Sequence, residues 1–339
     1  MTDGQRDRRN ADLVLGGGGI RGIALAGVVR RLARAGYRFP RIAGTSAGAI
    51  LGGLAAAMQR AGEPLDHLAE IALAMDFERL ADRSRLGQLA GPLAPVVDVG
   101  SLLVDNGIFE GDALRDYIAR LLSRYGVHTW ADLRLPPDEQ TSLPETHRYA
   151  LVVMASDVSR RRLVRFPWDY HEYGLDADSQ SVADAIRMSA SLPFFYEPAT
   201  LRSRSGETSV LVDGGLLSGY PITVFDRTDG RPPRWPTFGV ALSARPSPTP
   251  PTHEVTGPVS YVIALTDTLL TAHDEAHLDE PCVRRRTIFA EIPDVQTTDL
   301  GVDQETKRAM LADGDRATAT FLEGWDFAEY LRACRGGPQ

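Results

Sequence analysis

The first sixty residues alternate short apolar runs with stretches of helical periodicity. Residues 13–15 are apolar and end in glycines, which is typical of a buried strand entering a tight turn. Residues 23–35 carry apolar side chains at helical spacing, with arginines near the end, where positive charge suits the helix dipole. The plan repeats with a strand at 41–43, a turn at 44–48 and a helix at 49–58. Two such units predict a parallel sheet with helices on its faces.

The rest of the chain continues this alternation. Its pattern predicts further helices at 111–122, 262–276 and 304–322 and further strands at 149–154, 209–212 and 238–242. Residues 84–109 are apolar but punctuated by glycine and proline, which is typical either of core or of a mobile cover over an apolar site. Because no repeat or linker divides the chain, we expect one domain over residues 12–325, a flexible N-terminus at 1–11 and a C-terminal tail at 326–339.

Composition narrows the function classes. The 339 residues are 43% apolar, which excludes low-complexity disorder, and the formal charge of −8 disfavours nucleic-acid binding through a basic surface. Lys307 is the only lysine and lies in a polar helical stretch. We therefore discount a P-loop, a Schiff base and a Ser–Lys dyad, each of which needs a lysine.

Cysteine content and hydropathy indicate in which cellular compartment the protein is expected. Cys282 and Cys334 are too few and too far apart in sequence for a zinc module or a disulfide framework, which favours a reducing compartment. The N-terminus lacks the uninterrupted apolar core of a secretory signal. Residues 42–59 are uncharged, but small residues dominate them and they barely reach the ~20 residues of a membrane span. We expect a buried helix there and a cytoplasmic protein.

The pentapeptide Gly44-Thr45-Ser46-Ala47-Gly48 matches G-x-S-x-G between a predicted strand and a predicted helix. In such an elbow the serine sits on a sharp turn that bulky neighbours would obstruct, and the following helix directs its N–H groups towards the hydroxyl. This motif makes Ser46 a candidate nucleophile. A small-residue turn with a capping serine is the alternative interpretation.

A second glycine-rich segment, residues 16–22, follows the first strand. Its N–H groups can converge on an anionic oxygen, as an oxyanion hole requires, with Arg21 holding the loop or adding positive potential. The same segment satisfies G-x-G-x-x-G through Gly17, Gly19 and Gly22, which favours a dinucleotide fold. No acidic residue lies between Asp12 and Glu63 to hold a ribose, so this alternative is an NADP-binding protein with Arg38 or Arg41 on the 2′-phosphate.

Asp213-Gly214-Gly215 follows the apolar run 210–212 directly. An Asp-Gly turn at a strand end is the structural interpretation. The functional interpretation is a carboxylate delivered to the carboxyl edge of the sheet, where α/β sites are built, as a base for Ser46. Desolvation there would raise the pKa of the carboxyl and make it a better base.

Histidine offers a different mechanism, because a Ser–Asp–His triad needs one after the aspartate. The candidates are His253, His273 and His277. The last two stand at i, i+4, a spacing that a metal also accepts, although no third ligand is evident and a solvated helix end is the favoured interpretation.

In this order, the glycine loop, the elbow and the Asp-Gly-Gly motif resemble the patatin-like phospholipases, lipid acyl hydrolases with a Ser–Asp dyad. Residues 187–195 are similar to a family segment that packs beside the active site ahead of the aspartate. Residues 107–109, 286–288 and 298–299 also resemble the corresponding segments of bacterial members of this family. The resemblance extends over about residues 12–325.

The resemblance implies a three-layer α/β/α domain with a mainly parallel central sheet, and it implies roles for the motif residues. Ser46 would be the nucleophile and Asp213 the proton acceptor. Gly17, Gly18 and Gly19 would form the oxyanion hole, with the N–H groups of the last two on the oxyanion and Gly17 shaping the loop. The residues expected to support these groups are Arg21, Gly22, Gly44, Gly48, Gly214 and Gly215.

The expected activity is hydrolysis of an ester bond in phospholipid, lysophospholipid or neutral lipid through an acyl-enzyme, with no metal and no cofactor. The expected partners are the lipid or other ester substrate and a membrane or micelle surface contacted peripherally, with no nucleic acid. Two alternatives remain open at this point. They are the NADP-binding protein and a catalytically idle patatin-like protein that binds lipid or a partner.

Overall fold

The computed structural model describes residues 9–76, 107–109, 111–137, 144–242, 255, 261, 264–265, 268, 278, 280–292, 295 and 301–335. Most of the predicted helix at 262–276, and most of the apolar stretch 84–109 that we considered as a possible cover, lie outside these residues.

An eight-stranded sheet forms the centre of the described structure. Five strands run parallel to one another, in the order β12 (Thr287–Phe289), β11 (Thr237–Ala241), β2 (Asp12–Leu15), β4 (Ile42–Thr45) and β6 (Leu151–Asp157). Three antiparallel strands complete it: β7 (Arg162–Phe166), β9 (Ala199–Arg202) and β10 (Thr208–Asp213). The parallel strands are buried almost throughout, as expected where both faces of a sheet are covered.

β6 pairs with three other strands, one on one of its edges and two on the other. β7 occupies one edge, pairing with residues 153–157 of β6. β4 and β10 share the other edge, where Thr45 lies opposite Met154 and Asp213 lies opposite Ala155. Because β4 and β10 run in opposite directions, their carboxyl ends meet beside consecutive residues of β6.

Nine α-helices lie in the described parts of the chain. They are α1 (Ile23–Arg34), α2 (Ala47–Ala61), α3 (His67–Ala74), α4 (Asp112–Ser123), α5 (Val182–Ser189), α6 (Gly215–Ser218), α7 (Pro281–Arg284), α8 (Gln304–Glu323) and α9 (Phe327–Cys334). Four short strands form two separate pairs: β1 (Arg9–Asn10) with β3 (Tyr37–Arg38), and β5 (Gly107–Phe109) with β8 (Phe194–Tyr196).

Layers of structure cover both faces of the sheet. Successive residues of a strand point to opposite faces. Phe238 of β11 contacts Phe321 of α8, whereas a side chain at its neighbour Gly239 would meet Tyr220 and Ile222. On the α8 face, Gly52 of α2 lies against side chains of β2, β4 and β6. The predicted three-layer α/β/α architecture with a mainly parallel sheet is confirmed.

The stretch 42–59 contains the strand β4 and the buried helix α2, as the strand at 41–43, the turn at 44–48 and the helix at 49–58 predicted. Residues 42–45 pair with β2 and β6, and α2 begins at Ala47. Small residues suit both the strand and the helix, because neighbouring backbone and side chains pack closely against each of them. Within the described residues, no helix has both the length and the apolar character needed to cross a membrane.

Short regular elements lie near both ends of the described chain. Arg9–Asn10 pairs with Tyr37–Arg38. In the segment expected as a tail, α9 buries Tyr330, which also packs against Trp325.

Cys282 and Cys334 form a disulfide, with Cα atoms 5.6 Å apart. The sequence did not indicate this bond, because two cysteines so far apart in sequence make no disulfide framework. The two cysteines are 52 positions apart in sequence, but α7 and α9 meet, and the ion pair Arg285–Glu329 joins the same two segments. A separation along the chain does not limit a distance in space, and the argument for a reducing compartment loses its support from these cysteines.

Reduction of this disulfide is expected to destabilise the fold by about 2–4 kcal/mol, because the bond closes a long loop in the unfolded chain. Thermal unfolding with and without reductant checks this, and Cys334→Ser is the control, since its unfolding should not respond to reductant. Equal unfolding temperatures for the oxidised and reduced wild-type protein would show that α9 gains nothing from the bond.

Candidate active site

Ser46 occupies the sharp turn between β4 and α2. Its φ of 54° and ψ of −120° place a non-glycine residue in a strained region of backbone space. Glycine is required on both sides by close packing: a Cβ at Gly44 would lie 2.3 Å from the Gly48 carbonyl oxygen, and a Cβ at Gly48 would lie 2.2 Å from the Leu15 carbonyl oxygen. The elbow is thus pressed between its own helix and β2.

Hydrogen bonds hold the elbow from outside. The Ser46 N–H donates to Ser189 Oγ at 2.9 Å, and Thr45 Oγ1 donates to the Ser218 carbonyl at 3.1 Å. The Ser46 carbonyl accepts from the N–H groups of Ala49 and Ile50 in the first turn of α2. These bonds leave the Ser46 hydroxyl as the group of this residue that is available for chemistry.

Asp213 ends β10 and is 1% exposed. Its N–H donates to the Ser191 carbonyl at 2.8 Å, and its Oδ1 accepts from the Gly215 N–H at 2.8 Å. Oδ2 has no hydrogen bond of normal geometry to any residue that the structure describes. One carboxylate oxygen is therefore anchored, and the other remains available to accept a proton.

Burial raises the pKa of the Asp213 carboxyl to about 6, although the neighbouring Ser46 hydroxyl and the Gly215 N–H counteract part of this rise. A carboxyl with this pKa is mostly ionised at pH 7 and is a stronger base than a solvated aspartate. Asp213 is thus a buried carboxyl of raised basicity next to Ser46.

Asp213 reaches the carboxyl edge of the parallel strands from a strand that runs in the opposite direction. β10, which Asp213 ends, is antiparallel to β6. Asp213 still lies level with the carboxyl end of β4, because β10 runs towards β4 along the same edge of β6 and ends beside the residue next to the one that pairs with Thr45.

The glycine loop lies beside the elbow. A Cβ at Gly17 would be 3.6 Å from Ser46 Cβ, and the Gly17 N–H donates to the Gly219 carbonyl at 3.0 Å. The N–H groups of Gly18 and Gly19 make no hydrogen bond within the described part of the chain. The Gly17 N–H is therefore engaged within the fold, whereas the Gly18 and Gly19 N–H groups have no hydrogen-bond acceptor among the described residues, and Gly19 has a φ of 54°.

The expected supporting residues all lie around these groups. Gly22 ends the turn after the loop, where a Cβ would be 2.5 Å from Ala47 Cβ, and the half-buried Arg21 donates its N–H to the Gly18 carbonyl at 3.2 Å. At Gly214 a Cβ would be 2.4 Å from the Met154 carbonyl oxygen. Gly215 supplies the N–H that anchors Asp213.

Two contacts of the segment 187–195, whose sequence only resembles a family segment, are not evident from the sequence. Ser189 binds the backbone of Ser46, and Ser191 binds the backbone of Asp213. Both serines are fully buried. Small hydroxyl residues at the end of a helix ahead of a proline are the one sequence signal that could have singled out these contacts.

The residues of the other hypotheses lie elsewhere. Arg41 is paired with the buried Asp12 and stacks on Phe225, so its guanidinium is engaged within the fold and is not presented to a 2′-phosphate. Lys307 is buried, and its Nζ donates to the Met75 carbonyl at 2.7 Å. His253, His273 and His277 lie outside the described residues. Among the residues described, no group of three His, Cys, Asp or Glu side chains is arranged to hold a metal ion.

The fold and this site define an α/β protein with a serine elbow facing a buried carboxylate. The chain belongs to the patatin-like phospholipase family, whose model matches residues 13–226. The uncharacterized protein YqhO of Bacillus subtilis is 34% identical over 93% of this chain and 99% of its own length. The uncharacterized NTE family protein Mb2594 of Mycobacterium bovis is 30% identical over 79% of this chain, which spans 39% of that relative.

Among solved structures, VipD from Legionella pneumophila is similar to 94% of this chain and 67% of its own, with a TM-score of 0.49 and 16% identity.

Proposed function

We propose that this protein is a serine lipid acyl hydrolase in which Ser46 is the nucleophile and Asp213 the base. The observation that carries the proposal is the meeting of β4 and β10 on one edge of β6, which sets Ser46 beside a buried carboxylate with a pKa of about 6. Membership of the patatin-like phospholipase family supports an ester of lipid as the substrate.

In the proposed reaction, the Ser46 hydroxyl attacks the ester carbonyl while its proton passes to Asp213 Oδ2. The N–H groups of Gly18 and Gly19 hold the oxyanion of the tetrahedral intermediate. Collapse of this intermediate breaks the ester bond, and the leaving alcohol takes the proton from Asp213. Asp213 then accepts a proton from water as the water attacks the acyl-enzyme carbonyl. Collapse of this second tetrahedral intermediate releases the fatty acid, and the proton passes from Asp213 to Ser46 Oγ, which restores both residues. No step needs a metal, a cofactor or a histidine.

A lipid substrate requires contact with an aggregate, so we propose that the protein works while bound peripherally to a membrane or micelle. With a formal charge of −8, the chain has no overall attraction to anionic lipid. Turnover of zwitterionic or neutral micelles should therefore be at least as fast as turnover of anionic ones.

Labelling with a fluorophosphonate tests the dyad directly. We expect an adduct on Ser46, with a labelling rate that rises as pH passes through about 6 and levels off above 7, because the ionised form of Asp213 is the base. Peptide mass spectrometry locates the adduct, and a panel of phospholipid, lysophospholipid and neutral ester micelles identifies the substrate. A folded protein that shows neither an adduct nor turnover in detergent or lipid would be the catalytically idle form.

A further inference from the structure

The nucleophile and the base lie on two strand ends that no ladder joins. β4 and β10 each pair with β6 and not with each other. Pairing with β6 fixes how far along the sheet each strand ends. A shared neighbouring strand does not by itself fix the directions of the Ser46 and Asp213 side chains. A third element has to register Ser46 against Asp213.

The C-terminal end of α5 makes this connection. Ser189 accepts the Ser46 N–H on its Oγ at 2.9 Å and the Gly214 N–H on its carbonyl oxygen at 3.4 Å. Two residues later, the Ser191 carbonyl accepts the Asp213 N–H at 2.8 Å. One short segment thus binds the backbone of the nucleophile, of the base and of the residue after the base.

This segment is itself held in place. The buried Arg187 donates to Ser191 Oγ and, at 2.9 Å, to the Glu197 carbonyl, while Ser191 Oγ donates to the Arg187 carbonyl at 2.8 Å. Ser189 is fully buried, so water cannot replace its hydroxyl as the acceptor for Ser46 without entering the core.

The hydrogen bond from the Ser46 N–H to Ser189 Oγ also helps to hold the strained backbone of the elbow. A serine at φ 54° stays there only when its surroundings hold it. The Ser189 hydroxyl is the side-chain partner of that backbone, and it engages the Ser46 N–H, which is then not a donor for the oxyanion.

We propose that Ser189 is a positioning residue of the hydrolytic site: its hydroxyl fixes the nucleophile and its carbonyl fixes the residue after the base, so that one residue of α5 sets Ser46 against Asp213. This inference rests on the proposed function for its kinetic consequence. Its structural consequence, protection of the Ser46 N–H, is independent of any activity.

The test compares Ser189→Ala, which removes the acceptor, with Ser189→Thr, which keeps a hydroxyl. Thr318→Val is the matched control, because it removes another fully buried hydroxyl, one that donates to the Gly314 carbonyl within α8. Two readouts are measured: the rate of fluorophosphonate labelling with kcat and KM on a micellar ester, and hydrogen exchange of the Ser46 amide by fragmentation mass spectrometry.

We expect Ser189→Ala to lower kcat and the labelling rate about 10- to 100-fold with KM little changed, since displacement of a reacting group costs rate more than binding. Its Ser46 amide should exchange faster than in wild type, Ser189→Thr should restore much of the rate, and Thr318→Val should match wild type in both readouts.

Wild-type labelling in Ser189→Ala, or an unchanged exchange rate at Ser46, overturns the inference. If the wild-type protein itself is not labelled, the proposed function fails, and the exchange of Ser46 still decides whether Ser189 holds this backbone. Should Ser189→Ala not fold, Ser189→Cys replaces it in both measurements, because a thiol fills similar space but accepts hydrogen bonds weakly.

Discussion

Replacement of Ser46 by alanine is expected to abolish fluorophosphonate labelling and to lower ester hydrolysis by at least about 10³-fold. The variant keeps the Gly18 and Gly19 N–H groups and the Asp213 carboxylate, so it retains the means to polarise an ester. It has no group that can form the acyl-enzyme. Labelling, burst kinetics and steady-state turnover on a micellar ester measure the loss.

The fold should survive this change. Alanine at position 46 meets the same backbone strain as serine, and the N–H bond to Ser189 Oγ remains. Circular dichroism and thermal unfolding check that the variant is folded. Ser123→Ala, which alters an exposed serine on α4, is the control and should keep full activity. More than a tenth of wild-type turnover in folded Ser46→Ala would move the chemistry away from the elbow.

Asp213→Asn is expected to lower kcat by about 10²–10⁴-fold, because the amide keeps the shape of the carboxylate but cannot take the Ser46 proton. The Gly215 N–H can still donate to the amide oxygen. The remaining activity should lose its rise through pH 6, since the group responsible is gone. A pH–rate profile of the variant that still rises there would identify a different base.

The same variant is expected to be more stable than wild type at pH 8. The folded-state pKa of Asp213 is about 6 and its ordinary value is 3.8, so the native state holds a proton that the unfolded chain releases between these two values. Stability of the wild type therefore falls as pH rises through this window and stays lower above it. The shift corresponds to roughly 3 kcal/mol at pH 8.

Urea unfolding at pH 8 and at pH 4 measures this difference. Asp213→Asn should exceed wild type at pH 8, and the gap should close by pH 4, where the aspartate is largely neutral. Asp229→Asn is the control, because the Arg227 guanidinium lowers the pKa of the exposed Asp229 to about 2 and gives no reason for a gain at pH 8. An Asp213→Asn protein less stable than wild type at pH 8 would mean that the ionised carboxylate is favourably solvated in the site.

A gain in stability and a loss of rate from one substitution would have a single cause. The burial that makes Asp213 a stronger base also makes its ionised form costly to hold in the folded state. The Asp213 Oδ2 atom, without a hydrogen bond of normal geometry in the described residues, is where this cost is concentrated.

The sequence by itself determined the local elements around the site. The apolar run at 13–15, the helical spacing after residue 23 and the elbow at 44–48 depend on residues within a few positions of one another, and β2, α1, β4 and α2 appear where these patterns indicated. The chemistry-bearing residue types were also visible, because a strained turn needs its glycines and an acyl hydrolase needs a nucleophile and a base.

Only the tertiary structure decided how these parts meet. Ser46 and Ser189 are 143 positions apart, and the bond between them depends on the packing of α5. The antiparallel direction of β10, the engagement of the Gly17 N–H by Gly219 and the pairing of Cys282 with Cys334 are likewise set by contacts between distant segments. A pattern of neighbouring side chains encodes which element forms, whereas strand order and register follow from the packing of the whole core, which no local pattern contains.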